Sequence, residues 1–120
     1  MAMPLALDGT SLVGSSSTQT VTASLTTAQA NDLIVVGGFA LNAVAVNSVS
    51  DTSALSWTQR LLFSSTSPTV LFFYYYAFAA AALSADAIQV NTSGSTLTTA
   101  VAFGLTGVDP VNTLDRKSVV

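Results

Sequence analysis

Apolar and polar positions alternate with a period of two along most of this chain, the pattern of half-buried β-strands. In 19–25, Val21, Ala23 and Leu25 share one face and Thr20, Thr22 and Ser24 the other. Asn31-Asp32 then opens a continuous apolar run to Leu41, which predicts a central strand covered on both faces. Gly37-Gly38 inside that run predicts a bulge or a close backbone approach. Alternation returns over 43–50, Asp51-Thr52-Ser53 supplies turn chemistry, and 55–63 reads as a strand carrying the only Trp. The polar stretch 64–68 is a hairpin loop leading into an aromatic strand at 69–78. Strands at 86–91 and 96–105 complete the set, and Gly107-Val-Asp-Pro110 ends the pattern. Alanine-rich 77–84 is the one place where a helix competes. It spans about two turns, whereas an isolated helix needs ~12–15 residues, so it is assigned to strand end plus turn.

Seven to eight short strands at this spacing predict an all-β fold, an antiparallel β-sandwich of jelly-roll or immunoglobulin-like type. One domain is expected over 1–114, truncated at its C-terminus. The final residues, Asp115-Arg-Lys-Ser-Val-Val120, break the style of everything before them. They back-translate as GAT CGG AAG AGC GTC GTG, with TAG as the following stop, which matches a common short-read sequencing adapter. The expectation is that 115–120 is a non-native tail from adapter read-through, and it is set aside.

Charge narrows the functional classes. Up to Leu114 there are five Asp and one Arg, with no His, Cys, Glu or Lys. Nucleophilic catalysis lacks a general base, and thiolate metal sites and thiol redox chemistry lack a ligand. The expectation is no enzyme and no cofactor. A single Arg cannot make the basic footprint that nucleic acid requires. The longest apolar run, 70–83, falls short of the ~20 residues of a membrane-spanning helix, so no membrane insertion is expected.

What remains for function is apolar. On the aromatic strand Leu71, Phe73 and Tyr75 share one face, while Phe72, Tyr74, Tyr76 and Phe78 share the other. Only one face can look into a sandwich core, and which one the pattern leaves open. The other is either covered by a loop or final strand, or serves as a subunit interface or sugar-stacking surface. Trp57 is a core residue or a sugar-stacking platform. Arg60, three residues on and on the opposite strand face, pairs with an aspartate or lies across apolar surface. The aspartates read as turn formers, with Asp51 and Asp109 as weak Ca²⁺ candidates at one end of the sandwich.

Four phrases resemble one family: Ala30-Asn-Asp-Leu-Ile-Val-Val36, Ser48-Val-Ser-Asp-Thr-Ser-Ala-Leu-Ser-Trp-Thr58, Phe73-Tyr-Tyr-Tyr-Ala77 and Ala102-Phe-Gly-Leu-Thr-Gly-Val-Asp109. They resemble β-sandwich modules of poorly defined function that recur in phage structural proteins and bacterial surface proteins. There a "GDLIVV"-type strand leads to a "VTDSAGNTWT"-type hairpin, a "WYA"-type strand and a closing "SGVD". Here Asn31 replaces the usual Gly, and Ala54-Leu55 replaces the usual Gly-Asn. The resemblance supplies no catalytic residue. It implies a virion or extracellular cell-surface setting and a role in assembly or adhesion. The partners expected are subunits of the same assembly or neighbouring modules, with a cell-surface glycan as the alternative.

Overall fold

The computed structural model describes residues 5–15, 20–43, 45–66, 69–93 and 97–108. Eight strands form: β1 (Ala6–Ser15), β2 (Thr20–Leu25), β3 (Asp32–Leu41), β4 (Val46–Ser50), β5 (Thr58–Thr66), β6 (Thr69–Ala79), β7 (Asp86–Thr92) and β8 (Leu97–Thr106). They build two antiparallel sheets, one ordered β1-β8-β3-β6-β5 and the other β2-β7-β4. The pairs β1·β8, β2·β7 and β3·β6 nest like a long hairpin rolled up on itself, which is jelly-roll rather than immunoglobulin-like winding. The innermost pair of that hairpin is broken, because β5 joins β6 in the large sheet instead of β4 in the small one.

The core lies between the sheets. Val21, Ala23 and Leu25 from β2 and Ile88 and Val90 from β7 meet Ile34 and Val36 from β3, Leu71 and Phe73 from β6, and Ala100 and Ala102 from β8. The crossings β2-to-β3 and β6-to-β7 run side by side, joined by Thr27 N–H to the Leu83 carbonyl at 3.0 Å and Leu83 N–H to Thr27 Oγ1 at 2.9 Å. These bonds satisfy backbone groups that leave the ladders where the chain changes sheets. The molecule is 19 Å through its shortest axis, which fits two sheets ~10 Å apart with their side chains and leaves no space for a third layer.

Several sequence expectations change. β1 was not legible, because Asp8-Gly9 interrupts its alternation: the β1–β8 register shifts between Leu7 and Thr10, and Gly9 takes φ +89°. β5 starts at Thr58, so Trp57 stands in the β4–β5 crossing rather than across a strand from Arg60. Among the described residues no element packs over the outer side of β3, although Leu33 on that side is only 4% exposed. Residues 77–84 form the strand end and turn expected, without a helix. The six terminal residues and Asp109 lie outside the described residues.

Gly37-Gly38 makes no bulge, for the β3 register runs unbroken against both β6 and β8. It is a close approach: a Cβ on Gly38 would sit 1.9 Å from the Thr99 carbonyl oxygen. Backbone cannot yield as a side-chain tip can. Gly38→Ala is therefore expected to destabilise the domain by about 1–3 kcal/mol or more, read as a lower urea midpoint with an unchanged slope.

Candidate functional site

The two outer faces of the sandwich differ in kind. On the small sheet, registry places Thr20, Thr22 and Ser24 beside Asn91, Gln89 and Ala87, with Ser48 and Ser50 beyond them. This face is polar and uncharged. On the large sheet, successive cross-strand rows read Leu105·Leu33·Phe78, then Phe103·Val35·Tyr76, then Val101·Gly37·Tyr74·Leu61, then Thr99·Phe39·Phe72·Phe63. No charged residue occurs in any of these rows. The two charged residues well inside strands of this sheet, Asp8 and Arg60, both fall at register shifts that take them out of the pleat.

The aromatic strand thus resolves into an inner face of Leu71, Phe73 and Tyr75 and an outer face of Phe72, Tyr74, Tyr76 and Phe78. Phe72 is 42% exposed and Phe63 58%, while Tyr74, Tyr76 and Phe78 are half-buried by their neighbours in the sheet. Phe72 stacks on Phe63 with centroids 6.3 Å apart and planes at 28°, and meets Phe39 at 6.3 Å. Tyr76 and Phe78 meet edge to face at 6.3 Å. Such pairs hold the rings in place before any partner arrives. Opposite Tyr74, Gly37 has no room for a side chain, since its Cβ would stand 2.7 Å from the Tyr74 Cβ, so the two strands approach closely there. Phe39, Phe63 and Leu61 join this surface without having been foreseen, because only the fold aligns β3 and β5 beside β6.

Beyond the small sheet's width, β5 is bare on both sides. Leu61, Leu62 and Phe63 are successive residues with 44%, 38% and 58% exposure. Leu62 faces inward but has no small-sheet strand opposite it, a consequence of five strands packing on three.

Trp57 is not an open platform. Its ring is half-buried and packs against the core, and its Nε1–H donates to Asp51 Oδ1 at 3.0 Å. Asp51 also accepts from Leu55 N–H at 2.8 Å on Oδ1 and from Ser53 N–H at 3.1 Å on Oδ2, the turn-forming role expected of it. Asn31 and Ala54, the positions where the resembling pattern carries Gly, take φ of 62° and 56°, so the backbone that favours Gly is kept without it.

Two aspartates are unlike turn formers. Asp32 and Asp86 open β3 and β7, point between the sheets and are fully buried. Asp8 stands against Asp32, and Asp51 against Asp86, all at the end of the sandwich where β2, β4, β6 and β8 finish. Burial first, then the neighbouring Asp8, pushes the Asp32 carboxyl up to about 6. Asp8 is held low by the Ala28 N–H and by Asp32. Burial and then Asp86 push Asp51 up; Asp86, though burial opposes it, is held low by Asp51, Thr52 and Ser53. Among the described residues no group of three potential metal ligands forms, and Asp109 is not among them, so the weak Ca²⁺ pairing is left without its second member. A cleft of about 250 Å³ at this end is lined by Ser53, Leu55 and 79–83, with no titratable side chain.

No family model, curated protein or solved structure matches the chain. Function therefore has to be argued from the two sheet faces and the acidic end. Trp57→Phe keeps the ring volume near that of the core contact and deletes the bond to Asp51. It is expected to cost about 1–2 kcal/mol in urea unfolding followed by circular dichroism.

Proposed function

We propose that this protein is a non-catalytic structural or adhesive β-sandwich module of a phage virion or bacterial surface protein, which works by seating the outer face of its large sheet against the same kind of face on a neighbouring module. The observation that carries this is the polarity difference between its two outer faces: Ser, Thr, Asn and Gln on the small sheet, aromatic and aliphatic rows on the large one. Neither face needs charge for folding, so the difference reflects what each one meets.

Size favours a protein face over a small ligand. The four strands that carry these rows, ~4.8 Å apart and about ten residues long at ~3.3 Å each, give roughly 600 Å². That reaches the top of the ~300–600 Å² range of the largest apolar patch on a typical monomer, and approaches the ~800 Å² each partner contributes to a standard interface. The rows of this face lack charge, which fits another uncharged sheet stacked at ~10 Å in the manner of a sandwich core. The virion or cell-surface setting rests on the four resembling phrases, supported by the Gly-like backbone at Asn31 and Ala54. A non-catalytic role is supported by the described side chains, whose titratable groups are Asp, Tyr and Arg60 alone. Glycan stacking keeps one foothold in Tyr74 and Tyr76, since Trp57 is committed to Asp51 and the core.

Phe72→Asp, Tyr74→Asp and Tyr76→Asp place a charge in the rows without touching the core. Each is expected to keep the wild-type circular dichroism spectrum and to weaken self-association by roughly 2 kcal/mol or more, read as loss of the higher-mass species in light scattering. A wild-type protein that stays monomeric at high concentration, or variants that assemble unchanged, would count against the module. Glycan-array binding lost only in the Tyr variants would favour the sugar alternative.

A further inference from the structure

Every buried side-chain oxygen found without a hydrogen-bond partner among the described residues belongs to one of the two carboxyl pairs: Asp32 Oδ1 and Oδ2, and Asp86 Oδ2. Two carboxylates are both acceptors, so bringing them together leaves oxygens unpaired unless something supplies a donor. No cation does. Among the described residues the one basic side chain is Arg60, exposed on β5, and it contributes to the titration of none of the four acids.

We propose that each pair is a proton-binding site, in which one carboxyl keeps its proton at pH values where an isolated aspartate is ionised and donates it to the other. Asp32 is the donor in the first pair. It is fully buried beside Gly104, where an added Cβ would lie 3.1 Å from Asp32 Oδ2 and 2.6 Å from the Asp8 carbonyl oxygen. Asp8 is the acceptor, already fixed as an anion by Ala28 N–H at 3.0 Å and Gln29 N–H at 2.9 Å. In the second pair Asp51 donates to the orphaned Asp86 Oδ2, while Asp86 Oδ1 accepts from Thr52 Oγ1 at 2.6 Å and Ser53 N–H at 2.9 Å. Asp51 also accepts from Leu55, Ser53 and Trp57, but burial keeps the proton on it, and Asp86 is the partner that Asp51, Thr52 and Ser53 hold as the anion.

Among the described residues, the other elements around these groups bring no competing charge. β8 contributes the Thr106 hydroxyl and Gly104, the β2–β3 loop contributes backbone N–H groups, and the Tyr75 phenol of β6 is bonded to Gln59 at 3.2 Å. Each shared proton acts as a clasp. One ties the β1 bulge and the β2–β3 crossing to β3, and the other ties the β4–β5 crossing to β7. Sheet-to-sheet connection at this end therefore depends on pH.

The sign follows from the donors. Asp32 has a folded value raised to about 6, so its contribution is complete below the ordinary 3.8 of the unfolded chain and is lost as pH rises through about 6. Asp51, also raised, acts in the same direction. Asp8 and Asp86, both lowered, contribute above 3.8 and lose that contribution as pH falls. Stability is greatest in mild acid and lower at pH 8.

Carbon-detected NMR titration of the aspartate Cγ signals tests this on the whole chain. Asp32 is expected to titrate near 6 and Asp8 below the ordinary value. Wild-type Tm is expected to fall by several degrees from pH 5 to pH 8. Asp32→Asn supplies a permanent donor, so it is expected to flatten that fall and to match or exceed wild type at pH 8. If all four aspartates titrate at or below the ordinary carboxyl value, or Asp32→Asn keeps the wild-type slope, the proposal is overturned. Should the variant not fold, the wild-type titration alone decides. A saturable shift of the same signals by Ca²⁺ at pH 7 would also overturn it, since the orphaned oxygens would then belong to a cation site.

Discussion

A two-layer sandwich gives each sheet one inner face, and here the large sheet is apolar on both. That constraint organises the rest of the molecule. The inner face is satisfied by β2, β4 and β7, but three strands cannot cover five, so β5 projects with apolar residues on either side. Among the described residues no layer packs over the outer face. Charge is excluded from its pleat and relegated to two bulges, at Asp8 and Arg60, and to the strand ends. A surface of this kind raises the free energy of the isolated module, because apolar area left in water forgoes about 25 cal/mol per Å². Association would recover that energy, which supports the proposed interface.

The same shortage of charge shapes the acidic end. A protein with ample Lys and Arg neutralises buried carboxylates with ion pairs. Among the described residues four aspartates meet at one end with no cation beside them, so neutralisation falls to protons shared within pairs. The two features have one origin: a chain that spends almost nothing on charge must satisfy both its apolar face and its buried acids by other means.

How much of this was legible in sequence follows from range. Period-two alternation in β2 and the two-faced aromatics of β6 are local, and they placed both strands while leaving open which aromatic face looks inward. The Gly37-Gly38 pair flagged a close approach, though only the alignment of β3 with β8 shows what it approaches. β1 escaped because its bulge breaks the alternation at Asp8-Gly9. The extent of the outer face was hidden, since Phe39, Phe72 and Phe63 become neighbours only through registry across three strands. The acid pairs were hidden for the same reason: Asp32 and Asp86 sit beside turn-like residues in sequence, and their burial between the sheets depends on which strands they open. Winding was equally silent, for nothing local distinguishes β5 beside β6 from β5 beside β4.

The most direct test of the central claim is hydroxyl-radical footprinting of the wild-type chain across a concentration series. If the large sheet's outer face is the interface, Phe63, Phe72, Tyr74 and Tyr76 lose reactivity together as concentration rises, while exposed small-sheet residues such as Gln89 and Ser50 keep theirs. Protection that falls instead on the small sheet, or outer-face aromatics equally reactive at every concentration at which the protein assembles, would contradict it.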